Sequence, residues 1–246
     1  CYQVPVVQLE ESLRPRDRGT VLAGVLNGLE DGEDCVSVLL MTSDGADSQE
    51  DIFFFTKAGM VKRTLLSEYS VRRSKVAAIS LAKNDEVVKV CTIRPSDDLY
   101  CLTRSGMFIR FGEDEVSPTG RVTRGVKAMR VMPKDQVAYA GGIQDSDHLL
   151  LISERGYIKR VPCSMIDSQR RAGKGVHSFY FNKNGSNGTY IAASFVTDLP
   201  RSFSVQTAQG QSVPLNTEDI ALQKLSDRGK PYVMAVLDDV VNDIIL

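Results

Sequence analysis

The stretch of this 246-residue chain best equipped for chemistry is Ser-Gln-Arg-Arg-Ala-Gly-Lys-Gly-Val-His-Ser, residues 168–178. It carries Arg170, Arg171 and Lys174 and no acid, and Gly173 and Gly175 flank the lysine. Cations of this kind neutralise phosphates, and glycines let a backbone turn tightly and approach an anion closely. Gln169 adds an amide that can hydrogen-bond to a phosphate or to a neighbouring loop.

Catalytic chemistry has few candidates. His148 and His177 are the only histidines, and neither has a Cys or His neighbour in sequence. The five cysteines (Cys1, Cys35, Cys91, Cys101, Cys163) are odd in number and form no CxxC pair. They read as free thiols, mostly buried, in a reducing compartment, because a zinc site needs a tighter ligand cluster. No Ser/His/Asp set can be placed, and residues 141–148 have neither Walker nor dinucleotide-binding spacing. The chain therefore reads as non-catalytic, with no cofactor of its own. It lacks an apolar run of membrane length and a signal peptide, which predicts a soluble cytoplasmic chain with no membrane partner. It starts at Cys1, which predicts a fragment of something longer.

The elements that must position the basic stretch come from an internal repeat. Residues 51–63, 98–110, 148–160 and 202–214 align without gaps. Each has an apolar run, then Thr or Ser, two mostly polar residues, Gly and a second short run. The glycines are Gly59, Gly106, Gly156 and Gly210, spaced by 47, 50 and 54 residues. A second glycine follows 19 residues later at Gly125, Gly175 and Gly229, with Ala78 at that offset in the first full repeat. The opening residues read as the second half of an earlier repeat, with Gly19 in the later glycine's place. The units run roughly 1–43, 51–93, 98–143, 148–196 and 202–246.

Each unit reads as β. Phe, Val, Ile, Leu and Tyr fill the runs, and Thr-x-x-Gly marks a tight hairpin. Strand-like runs such as 86–90 and 232–236 end the units, and 217–225 is the best short helix candidate. About four strands per 45 to 50 residues predicts an all-β, propeller-like array whose blades stack as one domain. Aromatics Tyr157, Phe179, Tyr180 and Phe181 alternate within apolar runs and read as strand core.

Formal net charge is −1, so only the placement of charge bears on a polyanion. The segment around each second glycine is basic. Residues 71–83 carry Arg72, Arg73, Lys75 and Lys83 without an acid, and residues 117–130 carry Arg121, Arg124, Lys127 and Arg130 without an acid. Residues 12–20 hold three arginines against Asp17, and residues 222–230, which include Arg228, hold three cations against Asp227. Acids collect at 29–34, 44–51, 113–115 and 238–243. In a circular array the basic segments line one rim, with Lys62, Arg63, Arg110, Lys159 and Arg160 adding to it. Such a stripe is a footprint for double-stranded DNA that curves around the protein. A scaffold for protein partners is the alternative; it needs fewer rim cations and more exposed aromatics.

Residues 53–70 and 120–137 resemble the C-terminal domain found in the A subunits of bacterial type IIA topoisomerases, gyrase and topoisomerase IV. Gln169–Gly175 is similar to that family's heptapeptide, the GyrA box, usually Q-R-R-G-G-K-G, with Ala172 in place of one glycine. The resemblance implies a β-pinwheel of four-stranded blades, five to six in the intact domain, with strands exchanged between neighbours. It implies duplex binding and bending around the outer rim. It also implies two partners, the remainder of the A subunit together with an ATPase B subunit, and ATP and Mg2+ used by the whole enzyme. A box in the third full repeat, and imperfect, resembles topoisomerase IV, whose domain steers substrate choice. Ala78 implies a local change in its loop.

Overall fold

The computed structural model describes residues 1–11, 19–41, 50–235 and 238–246. Fifteen strands are found among them: β1 Asp51–Thr56, β2 Met60–Leu65, β3 Val87–Cys91, β4 Asp98–Thr103, β5 Met107–Phe111, β6 Val126–Lys127, β7 Val137–Ile143, β8 His148–Ser153, β9 Tyr157–Pro162, β10 Val176–His177, β11 Ile191–Thr197, β12 Ser202–Thr207, β13 Ser212–Asn216, β14 Lys230–Pro231 and β15 Val241–Ile245.

The hairpins form where the Thr/Ser-x-x-Gly motif stands. Gly59, Gly106, Gly156 and Gly210 all have positive φ, a backbone region in which a side chain is penalised. The hydroxyls of Thr56, Thr103, Ser153 and Thr207 accept from the backbone N–H four residues on, at 3.1 to 3.2 Å. The recurring hydroxyl of the repeat thus closes each turn.

The sheets run β3-β1-β2-β6, β7-β4-β5-β10, β11-β8-β9-β14 and β15-β12-β13. The second, third and fourth full repeats each supply four strands, the short third one docking on the sheet of the repeat before, whereas the first full repeat supplies three. β6 pairs with β2 (Val61↔Val126), β10 with β5 (Phe108↔Val176) and β14 with β9 (Ile158↔Lys230). The fold is an all-β propeller-like array with exchanged strands.

Both faces of the first three blades are covered, so successive residues of β1, β4 and β8 are buried against different neighbours, whereas β12 of the last blade alternates buried with part-exposed residues. Phe53 and Phe55 pack with Leu99, Cys101 and Ile109. Tyr100 and Leu102 turn the other way, to Leu149 and Leu151. Leu150 and Ile152 pack with Phe203 and Val205. Strands β3 and β7, and β11 and β15, lie side by side across blade boundaries. That edge of each sheet meets the neighbouring blades, and the exchanged strands lie on the opposite, outer edge.

Some expectations shift. Residues 217–225 hold only a 3-10 turn at Thr217–Asp219 and no longer helix. The last repeat ends in β15; residues 232–235 form no strand, and 236 lies outside the described residues. At Ala78 the loop does differ: no strand follows it, and Lys75 bridges Tyr2. A 3-10 turn at Val6–Gln8 follows Pro5 as the turn Cys163–Met165 follows Pro162. Cys101 and Cys163 are buried as expected, whereas Cys1 and Cys35 are exposed.

Candidate nucleic-acid interface

Three seven-residue loops on the outer edge are built alike. They are residues 119–125, 169–175 and 223–229. The first residue of each donates its N–H to the second strand of the preceding blade: Thr119 to Arg63 O (2.8 Å), Gln169 to Arg110 O (2.7 Å) and Gln223 to Arg160 O (2.9 Å). The last residue of each is glycine with φ of 74° or 75°. The heptapeptide is thus one of a set, and its ends are fixed by strand exchange.

The terminal glycine is dictated by that exchange. A Cβ on Gly175 would stand 2.7 Å from the Phe108 carbonyl carbon, and one on Gly125 2.8 Å from that of Val61. Gly229 would meet the Phe179 ring at 2.9 Å. The close approach made by these glycines is to the neighbouring blade. Gly173 is under no such pressure, since its Cβ would find ordinary contacts at 3.4 Å. Ala172 occupies φ 67°, a conformation that suits glycine better.

Position within the loop sorts the cations. The sixth residues, Arg124, Lys174 and Arg228, are all exposed, as is Arg170 at the second position. None of the four has an ion-pair partner among the described residues. The third position faces inward. Arg171 is half-buried: its Nε donates to Glu115 O (3.1 Å), its Nη1 to Lys127 O (3.2 Å), and its backbone N–H to the Glu115 carboxylate. Arg171 therefore seats the loop on the preceding blade. Arg121 is half-buried at the same position; Arg72, Arg73 and Lys127 are exposed. Arg228 lies 5.3 Å from the ring of Tyr180, which is 52% exposed rather than in the core.

The structure removes several expected cations from the rim. Lys62 and Lys159 are 0% exposed. The Lys159 ammonium donates to Lys224 O, Leu225 O and Asp227 O at 2.7 to 2.9 Å, holding loop 223–229 from beneath. Burial pushes the Lys159 ammonium down to about 7. Lys62 reaches Ala78 O and Tyr69 Oη at 2.8 and 3.0 Å, and burial pushes it down to about 8. Arg63 is paired with Asp51 (2.7 Å) and Glu113 (2.9 Å). Arg110 is paired with Asp98 and Asp145, both at 2.7 Å. Arg160 is half-buried. Lys75 is exposed but paired with Glu30 (3.0 Å) and Glu33 (3.6 Å). Acids at 113–115 thus stand among the cations instead of apart from them. The arginines of residues 12–18 lie outside the described residues. No group of three or more His, Cys, Asp or Glu among the described residues is placed to hold a metal.

With this geometry in place, likeness to known proteins is informative. The profile described as DNA gyrase C-terminal domain, beta-propeller, matches residues 50–90, 97–141 and 147–187, just over half of the chain. The chain belongs to the DNA gyrase C-terminal domain family. That places it among the C-terminal domains of the A subunits of type IIA topoisomerases. It is 30% identical over 93% of its length to the DNA gyrase A subunit of Chlamydia pneumoniae, covering 27% of that protein. It is 31% identical over 71% of its length to the DNA topoisomerase 4 A subunit of Bacillus subtilis, covering 22% of it. The chain thus spans about a quarter of the curated relatives it matches. The solved C-terminal domain of DNA topoisomerase IV superposes with TM-score 0.85 at 22% identity, over 94% of this chain and 71% of that one. A gyrase A C-terminal domain gives 0.69 at 20% identity, over 80% and 66%. Among the described residues no helix is long and apolar enough to cross a membrane.

Proposed function

We propose that this gyrase-family domain binds double-stranded DNA along its outer edge and bends it, as a non-catalytic part of a type IIA topoisomerase. The observation that carries this reading is the recurrence of an exposed, unpaired cation at the sixth position of three equivalent loops (Arg124, Lys174, Arg228). Phosphates repeat along a duplex without regard to sequence, so cations repeated by the blade geometry suit backbone binding. Arg170, Arg72, Arg73, Lys127 and Arg121 extend the surface, and Gln169 and Gly173 offer neutral hydrogen-bonding groups at the most basic loop. Tyr180 stiffens Arg228 by lying against its guanidinium.

The enzyme-level role we propose is that of topoisomerase IV, in which the domain steers substrate choice; gyrase-type wrapping is the second reading. The late position of the heptapeptide and Ala172 favour the first. In the whole enzyme the partners are the rest of the A subunit together with the ATPase B subunit. ATP and Mg2+ act there.

The test is duplex-DNA binding by fluorescence anisotropy across 50 to 200 mM salt. Each phosphate contact contributes about 0.9 to the log–log salt slope. The variant Arg124→Gln/Lys174→Gln/Arg228→Gln should lose about 2.7 from the slope by that rule. A slope unchanged within 0.5, or binding by the wild type that ignores salt, would refute the reading.

A further inference from the structure

The second strand of each hairpin has an equivalent position occupied by Arg63, Arg110, Arg160 and, in the last, Pro214. In the first two blades the arginine spans the blade junction and is neutralised. Arg63 Nε donates to Asp51 at 2.7 Å, and its Nη1 pairs with Glu113 of the next blade at 2.9 Å. Arg110 Nε donates to Asp98 at 2.7 Å; its Nη1 reaches Asp145 at 2.7 Å and the carbonyls of Cys163 and Ile166 at 3.1 and 3.2 Å.

Arg160 has lost these acids. By the repeat spacing, His148 stands where Asp51 and Asp98 stand, Leu199 where Asp145 stands, and Thr217 where Glu113 stands. The Arg160 main chain keeps its place, bonded to Ala221 O and to the N–H of Gln223. Its Nε is closed off from solvent and has no hydrogen-bond partner. A buried N–H donor left so carries a penalty, because it has given up water and gained nothing. His148 cannot compensate. Burial, and next the charge of Arg160, hold its ring below the usual histidine range, so it stays neutral. Asp147, beside it, gives Oδ2 to Arg94 at 2.5 Å, while its Oδ1 is buried without a hydrogen-bond partner.

We propose that the junction between the third and fourth blades is a small-oxyanion site. Inorganic phosphate or a carboxylate group sits there against Arg160, where the Asp98 carboxylate sits against Arg110. The planar fork of a guanidinium matches such oxyanions with two parallel N–H donors, and a neutral imidazole beside it adds one N–H donor. The carboxylates of Asp51 and Asp98, at the position His148 takes here, mark where an oxyanion meets the Nε donor of the equivalent arginine. The site is separate from the exposed loop cations, so it stands or falls independently of DNA binding.

The test uses the 15N-labelled chain and follows the arginine Nε–H signals during titration with inorganic phosphate, then separately with acetate. The expected result is a saturable shift of the Arg160 signal, with those of Arg63 and Arg110 unmoved because their carboxylates are already in place. Whichever anion saturates the shift names the ligand. His148→Asp should abolish the shift and leave duplex affinity within twofold, whereas His148→Gln, which adds no acid, should retain the shift. Absence of any saturable shift with either anion, or equal shifts at all three arginines, overturns the proposal.

Discussion

Replacing Gly175 with alanine separates two tasks that a glycine in a basic loop could serve. The residue sits at φ 74°, and the added Cβ would lie 2.7 Å from the Phe108 carbonyl carbon. The left-handed backbone alone costs an alanine about 1–2 kcal/mol. The contact also forces β10 away from β5. That pairing is only two residues long, with Val176 opposite Phe108 and His177 opposite Met107. It continues at Ser178, whose N–H and hydroxyl both donate to Gly106 O at 2.8 Å. Loosening one or two of these bonds adds about 1 kcal/mol each. The expected loss is therefore about 2–4 kcal/mol, or roughly 5–15 °C in Tm for a domain of this size. Calorimetry reads the stability, and anisotropy with a duplex at 50 mM salt reads the affinity. At temperatures where the variant remains folded, its affinity should stay within about threefold of wild type, half a log unit or less. An unchanged Tm with a tenfold weaker affinity would refute the argument and make the anion the reason for this glycine.

Ala172→Gly should stabilise the domain by about 0.5–1 kcal/mol, the relief of a left-handed alanine less the extra entropy of an unfolded glycine, seen as a higher urea midpoint. Arg171→Gln removes two side-chain bonds to the preceding blade. It should cost about 1–3 kcal/mol in the same assay, in contrast to Arg170→Gln, which should leave stability within about 0.5 kcal/mol. Lys159 yields a pH dependence. Its folded pKa is lowered to about 7 from 10.5, so below pH 7 both states are charged and the fold carries the full burial penalty. Above pH 7 the folded state releases its proton first, and stability should rise with pH by up to about 1.4 kcal/mol per unit. Urea unfolding at pH 6.5 and 9 should show that rise in the wild type and a smaller one in Lys159→Met. A wild type with no rise would mean that the three carbonyls hold the ammonium charged.

The repeat was legible because its hairpins are local: four residues, one hydroxyl and one positive-φ glycine specify each turn. The basic loops were legible for the same reason, since loop length and terminal glycine recur in register. The loss of Lys62 and Lys159 from the rim was hidden. Where a sheet is covered on both faces, period-two alternation no longer separates inside from outside, and a lysine between Val61 and Arg63 reads like any strand cation. The pairing of Arg63 and Arg110 did leave a trace, an aspartate twelve residues upstream across the hairpin glycine in both repeats, and its replacement by His148 marks the third junction. Tyr180 misled because it lies between two core phenylalanines yet falls beyond the end of β10.

Sequence by itself determined the all-β repeat, its turns and which segments carry charge, because these depend on neighbours a few residues away. Tertiary structure alone decided which cations remain free. Strand exchange presses each loop onto the preceding blade: Arg171 is taken up by groups beneath its loop, Lys159 by the carbonyls of the loop above it, and Arg63 and Arg110 by carboxylates of their own hairpin and of the next blade, while Arg170 and the sixth-position cations are left to solvent.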